Sequence, residues 1–96
     1  MSEFMGMIWG KYDAKVGFQP GGASLHSIMT PHGPDSDTFE RASAADLKPE
    51  KFTAGLAFMF ETNVFLRVTE EALEAPWRDR DYQKCWAKLV PHFPGF

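Results

Sequence analysis

The chain has 96 residues, 44% of them hydrophobic and 24% charged, with a formal net charge of −3. A length of this order allows one domain or part of one, with a small core, and the composition is globular rather than disordered. A negative chain offers a phosphate backbone no general attraction, no apolar run nears the ~20 residues of a membrane span, and the single cysteine, Cys85, excludes an internal disulfide or a cysteine-based zinc site. The expectation is a protein of a reducing, cytoplasmic setting, with neither nucleic acid nor membrane as partner.

The opening Met1-Ser2-Glu3-Phe4-Met5-Gly6 lacks a basic region followed by a cleavable apolar stretch, so no secretory signal is expected. Apolar and aromatic residues begin at Phe4, an opening that suits a chain starting inside a domain. Met5 to Tyr12 is predicted as a strand carrying a bulge or a close backbone approach at its glycines. Residues 13–35 contain Gly17, Pro20, Gly21, Gly22, Pro31, Gly33 and Pro34, which predicts loops with one short strand over Ala23 to Met29. Long irregular connections in small domains tend to be functional. Asp37 and Glu40 have the spacing of a capping box for a short helix near 37–45, closed off by Pro49. From Thr53 to Val68 the two-residue spacing of Phe58, Phe60, Val64, Leu66 and Val68 slips around Glu61-Thr62-Asn63, as in one long bulged strand or two short ones. Asp79 or Asp81 can start a C-terminal helix near 79–90, with Tyr82, Cys85, Trp86, Leu89 and Val90 as its packing stripe. With no repeats and no linker, the expected class is mainly β with two helices.

Few residues can carry chemistry. Of three histidines, His26 and His32 lie in the breaker-rich stretch, where loops position side chains, and so are candidates for ligand or acid–base roles; a solvated or core histidine is the plain alternative. Glu3 heads an apolar segment, where a carboxylate needs a partner unless it faces solvent. A carboxylate and two histidines make the facial triad of non-haem Fe(II) oxygenases, which leaves positions open for substrate and O₂. Tyr12, Trp9 and Phe18 can line an aromatic pocket or simply pack, and the Tyr12 hydroxyl can hydrogen-bond a phenol. Cys85 fits a small buried hydrophobe. Glu70, Glu71 and Glu74 fit a solvated face, and Glu61 supports no assignment.

Several blocks resemble homogentisate 1,2-dioxygenases: the opening six residues, Pro20-Gly21-Gly22-Ala23-Ser24-Leu25-His26-Ser27, Met29-Thr30-Pro31-His32-Gly33-Pro34-Asp35, Ala57-Phe58-Met59-Phe60-Glu61 and Tyr82-Gln83-Lys84-Cys85-Trp86. The resemblance spans the chain but only the C-terminal portion of the family. It implies part of a cupin-type (jelly-roll) β-barrel, over 1–96, in an enzyme that uses Fe(II) and O₂ to open homogentisate to maleylacetoacetate in phenylalanine and tyrosine catabolism. Carried over by residue, Glu3 and His32 match iron ligands, Tyr12 and His32 contact the substrate, and His26 lies near the site. No residue here matches the catalytic acid–base histidine, which in the family lies upstream, as does the other histidine ligand. The resemblance further implies a homo-oligomer, a hexamer, or dependence on the rest of the polypeptide, and an isolated chain without activity. A non-catalytic cupin-like binding or structural domain and a gentisate-type dioxygenase are the competing readings.

Overall fold

The computed structural model describes residues 1–95. Its centre is an open antiparallel sheet of order β2-β1-β3, made by β1 (Ser2–Gly10), β2 (Ala23–His26) and β3 (Gly55–Thr62). Helix α1 (Ser36–Ser43) lies between β2 and β3, and a short helix α2 (Glu70–Glu74) and a 3₁₀ turn (Tyr82–Trp86) follow.

β1 is paired on both sides because it is the longest run of large apolar residues in the N-terminal half. Opposite partners share a face in an antiparallel ladder. Phe4 therefore meets Leu25 and Phe60, while Glu3 meets His26 on one side and Glu61 on the other. Met5 and Met7 continue the Glu3 face and are buried. On the reverse face the Phe58 ring lies over Gly6, where an added Cβ would come within 2.4 Å of it. The expected irregularity of this strand is a bulge between Met7 and Trp9. The strand ends two residues before Tyr12, at Gly10, whose φ of 83° and approach to the Ala54 carbonyl admit no side chain. β3 is a single strand that stops at Thr62, so the sequence slip marks its end rather than a bulge.

Three further expectations need correction. β2 stops at His26, short of Met29, because the Ile28 amide donates to Ser2 Oγ and the Thr30 amide to the Ser27 carbonyl, leaving neither for a ladder. The cap of α1 is Asp35, not Asp37: its carboxylate accepts from the Thr38 and Val16 amides at 2.7 and 2.6 Å. Serving two segments at once, Asp35 ties the loop after β1 to the helix, which Asp37 on the exposed side does not. The C-terminal helix is reduced to the 3₁₀ turn, carried by i→i+3 bonds such as Lys84 N–H to Asp81 O. Asp81 makes no side-chain cap, and the turn is held from outside by Ser36 Oγ donating to the Cys85 carbonyl at 2.7 Å. The acidic cluster 70–74 is the exposed helix α2, capped by Thr69.

Burial is sparse. Met5, Met7 and Ala75 are the buried hydrophobic residues among those described, whereas Ile8, Trp9, Phe60 and Trp77 stand at least half exposed. Among the described residues no helix is long and apolar enough to cross a membrane.

Candidate metal centre

The site forms where the start of β1, the end of β2 and the loop leading to α1 converge. Register alone puts Glu3 and His26 side by side on one face of the sheet. His32 arrives from the loop, and its Nε2 lies 2.7 Å from Glu3 Oε2 across 29 residues of sequence. Ser2, fully buried, makes this junction rigid: its Oγ donates to the Val64 carbonyl at 2.8 Å and accepts from the Ile28 amide at 3.0 Å. The loop is pinned again beyond His32 by Trp86 Nε1 donating to the Gly33 carbonyl at 3.1 Å.

One ligand atom each from Glu3, His26 and His32 falls within 4.8 Å of the others. An oxygen and two imidazole nitrogens suit a first-row divalent cation, so the donor set fits ferrous iron. The three are not equivalent, however. The His26 ring stacks on His32, with centroids 4.2 Å apart and planes 12° from parallel. Its Nε2 accepts from the Lys15 ammonium at 2.9 Å, and the Tyr82 hydroxyl lies 3.0 Å from the same nitrogen. Lys15 also donates to Tyr82 and lies 4.7 Å from the centre of the Tyr82 ring. Glu3 and His32 thus face each other across the centre, joined by their own hydrogen bond, with His26 as the wall behind them.

Electrostatics agree with that division. Burial pushes the His26 pKa down, and the neighbouring Lys15 charge pushes the same way, to about 4; the ring is neutral at pH 7 and accepts from lysine. The hydrogen bond from His32 holds the Glu3 carboxyl below its ordinary value, against a smaller opposing push from desolvation. Burial lowers the Lys15 ammonium.

The other sequence candidates are placed as follows. Tyr12 is half-buried in the loop after β1, its ring edge-on to Phe18 at 5.9 Å, and no hydrogen bond joins it to the Glu3–His32 pair. His92 lies elsewhere, against Phe39 on α1. Cys85 is half-buried, with a thiol raised by burial, as suits a packing residue. Glu61 flanks Glu3 from β3 but stands outside the three-residue group. Sequence reasoning missed Lys15, Ser2 and the polar ends of Tyr82 and Trp86. The last two were legible in principle, since a tyrosine hydroxyl or tryptophan N–H on an inward stripe needs a partner.

Fold and site together describe a mainly β chain that gathers a carboxylate and two histidines at one sheet corner. It belongs to the homogentisate 1,2-dioxygenase family: residues 1–93 match the family model for the homogentisate 1,2-dioxygenase C-terminal region. Homogentisate 1,2-dioxygenase of Pseudomonas putida is 56% identical over 94 residues, covering 97% of this chain and 22% of the relative. The enzyme of that name from Arabidopsis thaliana is 55% identical over 96 residues, with 97% and 21% covered. The chain therefore spans about a fifth of the length of these relatives.

Proposed function

We propose that this chain supplies the Glu3 carboxylate and a His32 nitrogen as iron ligands to a dioxygenase that opens the ring of homogentisate. The observation that carries the reading is the 2.7 Å approach of these two side chains across 29 residues, in a chain of this family. The relatives' activity, that of homogentisate 1,2-dioxygenase, gives the substrate class, homogentisate and O₂. When bound, Fe(II) supplies Lewis acidity toward a ring hydroxyl and an electron path between ring and O₂. A further histidine ligand and the acid–base histidine come from the remaining length typical of the family. In the same reading the open sheet is part of a cupin-type barrel, with 1–96 as its C-terminal segment, and the enzyme is a cytoplasmic homo-oligomer, a hexamer.

The chain's own residues divide the work. Glu3, its carboxyl held below its ordinary value by the hydrogen bond from His32, brings the negative charge that a dication requires. His32 faces the cation and the substrate edge. Tyr12 offers a hydroxyl to the substrate phenol, and the Lys15–His26–Tyr82 group keeps a neutral imidazole stacked behind His32. Such positioning governs rate because small errors of pose are costly.

The test uses the natural polypeptide that carries this chain. Glu3→Gln and His32→Ala should each strip most of the iron measured by elemental analysis and abolish ring opening, whereas His92→Ala should change neither. A full iron complement in either ligand variant overturns the assignment. The 96-residue chain alone, given Fe(II) and ascorbate, should not turn over.

A further inference from the structure

His32 is aimed by its own main chain. Its Nδ1–H donates to the Thr30 carbonyl, two residues back, at 3.1 Å, while Nε2 points at Glu3. The Thr30 carbonyl is itself set by a turn in which the Thr30 amide donates to the Ser27 carbonyl at 3.1 Å. Met29, third in that turn, has a φ of 68°, and among the described residues it is the one non-glycine with positive φ. A turn of this kind calls for glycine or asparagine there. The Met29 side chain is 94% exposed, so no packing of its own accounts for the conformation. The constraint comes from the neighbours: Ile28 is tied to Ser2, and Ser2 to Val64. Backbone held in a sparsely populated region by its surroundings is a common mark of a functional position.

We propose that the Ser27–Thr30 turn, anchored by Ser2 and bent through Met29, is a tautomer lock on His32: the Thr30 carbonyl keeps the proton on Nδ1, so that a cation entering beside Glu3 displaces the hydrogen Nε2 directs at the Glu3 carboxylate and binds that nitrogen. The inference rests on the reading of Glu3 and His32 as ligands, and adds which atom binds and what fixes it. A neutral imidazole has one N–H and one lone pair, so a carbonyl that captures the N–H decides which nitrogen is the ligand and orients the ring. Pointed at Glu3 from a rigid turn, Nε2 is the nitrogen already aimed at the shared centre. Met29 and Ser2 are positioning residues; neither touches the cation.

The experiment is ¹⁵N NMR of the histidine side chains in the natural polypeptide, loaded with Zn(II) as a diamagnetic probe. The expected spectrum has His32 protonated at Nδ1 and shifted by metal at Nε2. Coordination through Nδ1 would overturn the lock while leaving the ligand assignment standing; no metal shift at either nitrogen would overturn both. Met29→Gly should keep Zn(II) affinity within about twofold of the parent, since glycine accepts the turn. Met29→Val, with a branched Cβ disfavoured at positive φ, should weaken binding about tenfold, the scale of a lost outer partner, and mix the His32 tautomers. A valine variant that binds as the parent does, with an unchanged spectrum, would refute the role of the turn. Should that variant not fold, the spectrum of the unsubstituted protein still decides.

Discussion

The Glu3 corner and the outer surface of the same sheet are built by opposite means. At the corner, Ser2, Glu3, His26 and His32 are each held by hydrogen bonds within a few residues of a strand end. Elsewhere on the sheet, Ile8, Trp9, Leu56 and Phe60 remain 49–66% exposed. Register and short polar contacts therefore define the site, and hydrophobic enclosure contributes little to it. Large exposed apolar patches are interface material, whereas the corner is organised without a partner. Substitutions at the two regions should accordingly change different observables: stability for the sheet, cation affinity for the corner.

The largest expected effect is on the sheet. Gly10→Ala places a Cβ 2.0 Å from the Ala54 carbonyl at a φ of +83°. The dihedral alone costs roughly 1–3 kcal/mol, and the clash must in addition push β1 and β3 apart at the bulge. Denaturant titration of the natural polypeptide should show a loss above that range, with register disturbed on the way to Glu3. A loss under about 1 kcal/mol, the bottom of that range, would mean the strands separate freely at this end.

Next comes the corner. His26→Ala removes the ring stacked on His32 and strands the Lys15 ammonium beside Tyr82. Metal affinity, read by titration with Zn(II), should fall roughly 10–100-fold, as for outer partners of a metal ligand, with smaller change in unfolding stability than Gly10→Ala causes. Loss of all binding would instead promote His26 to a ligand, in place of the wall role assigned to it.

Asp35→Ala should cost about 1–2 kcal/mol, the upper range for a helix cap, because two amides lose their acceptor. The effect has a pH signature. Burial pushes the Asp35 carboxyl up, but the Val16 and Thr38 amides outweigh it and leave the pKa below its ordinary 3.8. The folded state thus binds fewer protons than the unfolded one around that pH. The stabilisation is complete above about pH 3.8 and is lost as pH falls through the lower folded value. The alanine variant should lack this component of acid unfolding.

How much of this was legible in the sequence depended on the range of the interaction. The β1 bulge, the existence of β3 and the pairing of Glu3 with His32 followed from glycine positions, alternation and motif resemblance. The length of β2 did not, because it is set by Ser2, which reaches Ile28 across 26 residues. The helix cap was misplaced by two residues for the same reason: Asp35 and Asp37 are locally equivalent, and only the tertiary bond from Val16 separates them. The C-terminal stripe was correctly seen as inward-facing at Tyr82, Cys85 and Trp86. Its polar tips were overlooked, though they join it to His26 and Gly33.

The smallest expected effect probes the open surface itself. Phe58 and Phe60 lie two residues apart on one face of β3, with ring centres 5.5 Å apart. Phe58 covers Gly6 and is 37% exposed; Phe60 faces Phe4 across the ladder and is 66% exposed. In the 96-residue chain, Phe60→Ser should cost under about 1 kcal/mol, the scale of one cross-strand pair, and Phe58→Ser clearly more, because it uncovers the backbone at Gly6 as well. The order of the two is the informative quantity. If Phe60→Ser proved as costly as Phe58→Ser, with the cost growing at higher protein concentration, the outer face would be covered by a second molecule in solution. The contrast between an open sheet and a self-sufficient corner would then hold only for the single chain.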